Sequence, residues 1–409
     1  GHHLVTIEGL ASGGLTPVME AMVDEGASQC GFCSPGFVLA LTGYLVNGAN
    51  IDPVEAMVAI EGNLCRCTGY GSIRRAAAIL SRDFADLPAG LVPRLKILSA
   101  RGVIPAGLAA LMAEPPQAAA PGEASAAQAE GPVLGGGTDW FVRNPDPEPG
   151  LNPVFTYRSP VARSIARVDR GGASYIELGA AVNETDFFAS ALVREAAPGI
   201  ERFEADIASP PIRNRATLAG NVANASPIAD MTAMLIALGA ELTVGAEQSG
   251  GGQGSGGTER TLALEDFFLA YKKVDLQPGE TILKIAFPSG WTAFAFEKAA
   301  KRERLDIATV NCAVAVLMAA DGTIAEARYA AGGVAALPLR LKDVEAAMVG
   351  RRPSSTMVRE VGTLAAGAGS PMDDVRGSSA YRRRLLERLA WAACIRLWPA
   401  LRLAEELLA

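Results

Sequence analysis

Ser28-Gln-Cys-Gly-Phe-Cys-Ser-Pro-Gly36 and, further along, Gly62-Asn-Leu-Cys-Arg-Cys-Thr-Gly-Tyr70 carry four of the chain's six cysteines. Cys30 and Cys33 form a Cys-x2-Cys pair; Cys65 and Cys67, after 31 intervening residues, form a Cys-x-Cys pair. Two tight pairs on separate loops suit a four-thiolate centre, because each loop can present both sulfurs to one metal site. Structural zinc also accepts four thiolates, although a Cys-x-Cys half is unusual for it. A disulfide pair is disfavoured in a reducing compartment, and an iron–sulfur cluster meets neither objection. Gly31, Gly36, Gly62 and Gly69 flank the sulfurs and let backbone N–H groups approach inorganic sulfide.

The sequence around these loops has helical periodicity. Asp52-Pro53 supplies an N-cap and a first-turn proline, with Val54, Met57, Val58 and Ile60 following at helical spacing. Apolar faces recur at Val18, Met19 and Met22, at Phe37, Leu41 and Leu45, and at Ile73, Ala77 and Leu80. Residues 1–85 therefore read as an all-α bundle with its cysteines at helix ends. Residues 86–130 read as a connecting segment, closing on AEPPQAAAPGEASAAQAE (113–130), which has little to bury and several helix breakers.

Short alternating runs such as Tyr175 to Val182 mix with helical patterns at 186–193 and 230–238, so residues 131–290 read as an α+β domain. The Gly/Ser tract at 245–257 reads as a surface hairpin tip. Strand-like runs at 292–298, 308–318 and 324–330, then helices at 342–348, 354–364 and 381–397, make residues 291–409 a smaller α+β domain. No solenoid repeat is present.

A chain of 409 residues holds two or three domains at roughly 100–200 residues each. It is 49% hydrophobic and 20% charged with net charge −7, a globular balance without the basic footprint of a nucleic-acid or anionic-lipid binder. Its longest apolar runs, near Phe37 to Val46 and Cys312 to Ala320, fall short of the ~20 residues a membrane helix needs. Without a basic region leading into an apolar one at its start, the chain is expected in the cytoplasm, with cysteines as thiols or metal ligands. Only His2 and His3 occur, which argues against a Ser-His-Asp triad or a histidine-ligated zinc and assigns the chemistry to cofactors, with no catalytic side chain. The chain opens at Gly1 without an initiator Met and reads as a fragment or as one with a preceding segment removed.

The two cysteine strings resemble the helical [2Fe–2S] domain of the xanthine oxidase family of molybdenum hydroxylases. The resemblance implies that Cys30, Cys33, Cys65 and Cys67 bind the molybdenum-proximal cluster, with Gln29 and Cys67 near the pterin of a molybdenum cofactor held elsewhere. Arg66, between two ligands, would screen cluster charge. The family's ferredoxin-like domain, expected before Val5-Thr-Ile-Glu-Gly-Leu10, has no counterpart here. Cys312 and Cys394 are isolated and read as core.

Val133-Leu-Gly-Gly-Gly-Thr-Asp139 reads as a strand entering a glycine turn, where successive small residues let backbone N–H groups converge on an anion such as a pyrophosphate. Its spacing is not that of a Rossmann fingerprint. Arg213-Asn-Arg-Ala-Thr-Leu-Ala-Gly-Asn-Val-Ala-Asn-Ala-Ser-Pro-Ile-Ala-Asp230 adds clustered small and polar residues before a helix, as suits a buried polar ligand. A capped helix start is the plainer alternative for this stretch.

Together the two stretches resemble the same family's FAD domain, of the vanillyl-alcohol-oxidase/PCMH type. The resemblance implies that Val133, Leu134, Gly135, Gly136, Gly137, Thr138 and Asp139, with Thr217, Gly220 and Asn221, hold the FAD phosphates and ribityl chain. It puts Ser226 and Asp230 at the adenosine half, Lys298 near the isoalloxazine, Ile282 in contact with the flavin, and Ile207 where some relatives place an aromatic ring. Phe267 to Lys273, Phe296 to Ala308 and Asp374 to Arg382 continue the likeness, with Leu305 standing where some relatives carry an acidic residue.

By the same resemblance the chain is an electron-transfer subunit acting in purine catabolism. A large subunit holding the molybdenum cofactor would hydroxylate xanthine or hypoxanthine, with electrons passing through [2Fe–2S] and FAD to NAD+. A heterotetramer of two small and two large subunits is implied. An aldehyde or N-heterocycle hydroxylase subunit is the alternative enzyme, and a non-catalytic Fe–S/FAD accessory protein is the alternative of another class.

Overall fold

The computed structural model describes residues 4–114, 131–156, 161–246, 259–302 and 304–408. The chain divides into two compact units, Gly1–Ser125 and Ala126–Ala409. The expected linker from residue 115 to 130, and the Gly/Ser tract from residue 247 onward, lie outside the described residues.

The first unit is helical: α1 (Ile7–Leu10), α2 (Pro17–Asp24), α3 (Ser34–Asn47), α4 (Pro53–Ala59), α5 (Gly71–Asp83), α6 (Leu91–Ala100) and α7 (Ala106–Ala113). Thr16 caps α2 by accepting from the Met19 N–H at 3.4 Å, and Asp52 caps α4 by accepting from Val54 at 2.8 Å and Glu55 at 3.0 Å. Each cap precedes a proline that begins its helix. Val18, Phe37, Leu41, Leu45, Ile73 and Leu80 form the buried centre of this unit.

The reading of residues 86–130 as a mere connector is corrected here. Leu95, Leu98, Val103 and Ile104 join the same core, so α6 and the turn after it are part of the bundle. Buried Arg94 ties α6 to the end of α3 by donating to the carbonyls of Gly48 at 2.6 Å and Pro88 at 2.7 Å. A polar group so enclosed needs such partners; the residue type alone suggested solvent.

In the second unit β1 (Val133–Leu134) pairs in parallel with β2 (Val154–Phe155), and α8 (Trp140–Arg143) lies between them in sequence. Next come β3 (Ile165–Arg170), β4 (Ala173–Gly179), α9 (Glu184–Ala189), α10 (Ala191–Ala196), α11 (Pro210–Arg213), α12 (Leu218–Ala223), α13 (Asp230–Ala237), β5 (Glu241–Ala246) and β6 (Arg260–Ala263). A hairpin, β7 (Phe268–Ala270) and β8 (Lys273–Val274), precedes β9 (Glu280–Pro288). Strands β3-β4-β9-β5-β6 form an antiparallel sheet. The helix expected over 186–193 is interrupted at Ser190, which ends α9 and caps α10 by accepting from Val193 N–H at 3.5 Å.

A second antiparallel sheet, β10-β11-β12-β13, comprises β10 (Ala293–Ala299), β11 (Val310–Met318), β12 (Ile324–Gly332) and β13 (Leu339–Arg340). It is followed by α14 (Lys342–Met348), α15 (Ser355–Gly367), α16 (Ser379–Leu397) and α17 (Leu403–Leu408). From Val310 to Val316 every residue of β11 is buried, because α13 and α16 both pack against it, and so its sequence is apolar throughout except for Asn311 rather than alternating. Cys312 and Cys394 are fully buried in this region. Burial pushes both thiols up to about 12.

The two α+β domains expected on either side of residue 290 share one hydrophobic core. Phe203, from the first part, meets Phe294 and Phe296 of β10 edge-on, each with centroids 6.0 Å apart.

Two substitutions test the helical unit. Asp52→Ala removes both capping bonds of α4 and is expected to lower stability by about 1 kcal/mol. Leu45→Ala empties a fully buried position and is expected to cost about 2–5 kcal/mol. Denaturant unfolding followed by circular dichroism checks both; equal effects would contradict the burial assignment.

Candidate functional site

The four cysteines sit on two loops that enter helices. Cys33 immediately precedes α3, and the loop carrying Cys65 and Cys67 ends at Tyr70, the residue before α5. Tyr70 adopts φ 64°, rare for a residue with a side chain, and is held there by its ring and hydroxyl. Its ring packs edge-on against Phe37 at 6.4 Å, and its hydroxyl accepts from the Cys65 N–H at 3.0 Å. A Cβ on Gly36 would meet the Asn63 amide nitrogen at 2.8 Å, so that glycine lets the two cysteine loops approach.

The thiols pair across the loops rather than within them. Cys67 and Cys30 sulfurs lie 3.7 Å apart, and the Cys33 and Cys65 thiols are near enough to perturb each other's ionisation. Partial burial would raise the Cys65 thiol, but the Thr68 hydroxyl at 3.1 Å and Thr68 N–H at 3.4 Å donate to its sulfur and bring it down to about 7. That favours the thiolate a metal needs. Cys33 moves the other way, raised by burial and by Cys65. Among the described residues no three His, Cys, Asp or Glu side chains converge on a single-ion position. Two pairs of sulfurs suit a two-iron cluster, two thiolates to each iron, better than one tetrahedral zinc. Gln29 and Arg66 are exposed beside these loops.

In the second unit the glycine run after β1 meets the backbone before α12. A Cβ on Gly136 would overlap the Arg215 carbonyl, and one on Gly135 the Thr217 side chain. Thr217 in turn caps α12 by accepting from Gly220 N–H at 3.1 Å. The two segments enclose a cavity of about 300 Å³ lined by Val133 to Asp139, Thr217, Gly220 and Asn221, all anticipated from sequence, together with Trp140, Arg143 and Asn224. Thr232 of α13 donates to the Asn221 side chain at 3.0 Å. A cavity wall made of glycine backbone lets a dinucleotide's phosphates approach main-chain N–H groups closely.

A second polar cluster centres on Asp230. Lys298 donates to its carboxylate at 2.7 Å and to the Asp206 carbonyl, beside buried Ile207, at 2.9 Å. Asn311 donates to the other Asp230 oxygen at 2.5 Å. Burial raises the Asp230 carboxyl, with Lys298 and Asn311 opposing. The resemblance divided Asp230 and Lys298 between the adenosine and isoalloxazine ends; their salt bridge makes them neighbours, so one part of an extended dinucleotide would face both. Ser226 and Ile282 lie outside the cavity lining, Ser226 half-buried and Ile282 buried in β9. Leu305 adopts φ 52°, and its carbonyl accepts from Arg302 at 2.7 Å.

Beside this cluster Glu184 is 3% exposed, and its Oε2 has no hydrogen-bond partner among the described residues. Burial, then repulsion by Asp230, raises its carboxyl to about 8 against the pull of Arg213 and Lys298.

Three family models match the chain: a [2Fe-2S] binding domain over residues 6–78, the FAD binding domain in molybdopterin dehydrogenase over 163–290, and the CO dehydrogenase flavoprotein C-terminal domain over 295–397. The medium chain of carbon monoxide dehydrogenase from Hydrogenophaga pseudoflava is 30% identical over 231 residues, covering 54% of this chain and 76% of that protein. The chain belongs to the molybdenum hydroxylase family. This molybdenum hydroxylase chain therefore carries the family's [2Fe–2S] and FAD domains. It is also 27% identical to xanthine dehydrogenase 2 of Arabidopsis thaliana over 88% of its own length, and it spans 31% of that relative. A solved structure of the Hydrogenophaga pseudoflava enzyme lacking the Mo-pyranopterin moiety of its molybdenum cofactor superposes with a TM-score of 0.56 at 26% identity, covering 65% of this chain and 89% of that one.

Sequence reasoning missed Glu184 and Asn311, and Trp140, Arg143 and Asn224 in the cavity wall. Asn311 is a polar residue inside an apolar strand and could have been flagged; Glu184 looks like an ordinary first-turn acid of α9, and only its enclosure makes it unusual.

Glu184 has a pH signature. Folding raises its carboxyl from the ordinary 4.5 to about 8, so between those values the native state holds a proton that the unfolded chain has released. Its contribution to stability therefore falls as pH rises through that window. Glu184→Gln removes the slope, and relative to the parent the variant should gain at least about 1 kcal/mol between about pH 5 and about pH 8. Urea unfolding at both pH values measures this; a difference independent of pH contradicts it.

Proposed function

We propose that this chain is the electron-transfer subunit of a molybdenum hydroxylase, working in the cytoplasm with a large subunit that holds the molybdenum cofactor. The observation that carries the reading is the pairing of Cys30 with Cys67 and Cys33 with Cys65 in a chain that also encloses the glycine-walled cavity. When bound, the [2Fe–2S] cluster supplies one-electron transfer and FAD supplies the exchange between single electrons and a hydride. Cys30, Cys33, Cys65 and Cys67 ligate the irons, and the Thr68 hydroxyl, already donating to Cys65, tunes the cluster through its sulfur. Gly135 to Asp139 and Thr217 to Asn221 hold the dinucleotide, while Lys298, oriented by Asp230, offers a cation to the flavin ring.

The preferred substrate of the complex is xanthine or hypoxanthine, NAD+ is the acceptor, and two small and two large subunits assemble. Support for the purine comes from continuity: the plant xanthine dehydrogenase aligns with 88% of this chain, the carbon monoxide dehydrogenase medium chain with 54%. The coverage of 76% of that medium chain favours, as second reading, a hydroxylase of another small substrate.

Cofactor assignment and substrate separate experimentally. In the full chain, Cys30→Ser should abolish the cluster's visible absorbance and electron paramagnetic signal while leaving bound FAD intact, and Gly136→Val should do the reverse. Loss of both cofactors in either variant would contradict two independent sites. With the large subunit co-purified, NAD+ reduction is assayed with xanthine, hypoxanthine, aldehydes, N-heterocycles and carbon monoxide; no purine-dependent reduction sinks the xanthine assignment and leaves the electron-transfer role to the spectra.

A further inference from the structure

At the edge of the glycine-walled cavity, two segments distant in sequence converge on Asn224. Arg143, at the end of α8, donates to its side-chain oxygen at 2.6 Å and pairs with Asp139 at 2.7 Å. Lys272, in the turn between β7 and β8, donates to the same side-chain oxygen at 3.0 Å and to the Asn224 carbonyl at 2.7 Å. Asn224 donates back to Asp139 at 3.2 Å. Lys272 holds φ 58°, a left-handed conformation uncommon for a residue with a side chain, and its ammonium is anchored at the cavity edge.

One amide oxygen shared by two cations brings like charges together. Lys272 is held below its usual value by partial burial and by Arg143, with Asp139 opposing. Two positive charges face one carboxylate, leaving a surplus of one beside the half-buried glycine run Gly135 to Gly137 that lines the cavity. Such a surplus suits an anionic ligand at that place.

We propose that Arg143 and Lys272, positioned by Asn224, form a cationic clamp that takes the diphosphate of the bound dinucleotide, FAD. The clamp rests on the flavin reading of the cavity and adds to it a charge-based contact from outside the glycine run. It makes FAD affinity depend on salt, since dissolved ions screen the attraction between the two cations and the diphosphate. A nicotinamide dinucleotide carries the same diphosphate, so the test includes it.

The full chain, stripped of flavin, is titrated with FAD, riboflavin and NADH, following fluorescence. Arg143→Gln and Lys272→Gln should each weaken FAD binding about tenfold, flatten its dependence on salt and leave riboflavin, which lacks phosphate, unaffected. Lys272→Arg should restore most of the affinity. Unchanged FAD binding in both glutamine variants overturns the clamp, as does a parallel loss of riboflavin or an effect confined to NADH. If the unsubstituted chain binds neither FAD nor riboflavin, the flavin reading falls and the clamp with it; tight FAD binding that ignores both substitutions removes the clamp alone.

Discussion

The close approach of Gly136 to the Arg215 carbonyl governs the second unit, because any Cβ would force the two segments apart. With that contact made, Thr217 reaches Gly135 on one side and caps α12 on the other, so one threonine both closes the cavity and starts the helix that lines it. From α12 the order propagates by hydrogen bonds. Asn221 is held by Thr232 of α13; α13 begins at Asp230; Asp230 receives Lys298 from β10 and Asn311 from β11. The cavity and the second sheet are thus linked by polar contacts as well as by their common core.

The polar line has a cost in charge. Asp230, Glu184 and Asp206 lie close enough that Asp230 raises Glu184 and is itself raised by Asp206, while Lys298, Arg213 and Asn311 offset the repulsion only in part. A buried carboxyl whose Oε2 has no hydrogen-bond partner among the described residues, and whose proton is held by burial and by a neighbouring carboxylate, is an uncommon arrangement. Natural proteins tolerate such local conflicts mainly where a site needs them.

In the helical unit the corresponding constraint is the short distance between two loops. Gly36 admits Asn63, Tyr70 turns the chain into α5 in a left-handed conformation, and the four thiols then meet across the loops. Helices on both sides hold the loop ends, so the sulfur positions are set by a packed core rather than by the loops themselves. Preformed sulfur pairs reduce the ordering that metal binding would otherwise require.

Local chemistry was legible without coordinates. Caps such as Asp52, the helical spacing of Phe37, Leu41 and Leu45, and the first three strands of the second sheet follow from patterns a few residues long, as do the cysteine pairs and the glycine run. What it misjudged were long-range matters: α6, read as connector, is core because α3 offers carbonyls to Arg94; the break at Ser190 depends on a hydroxyl choosing a new helix over the old one. The sequence by itself determined which residues are the candidates for metal and phosphate binding, since candidacy depends on side-chain type and local spacing. Only the tertiary structure decided which cysteine faces which, that Asp230 and Lys298 share one place, and that Arg143 and Lys272 meet over Asn224. Those outcomes depend on distances between segments tens of residues apart and on how deeply each charge is buried, and no local pattern encodes either.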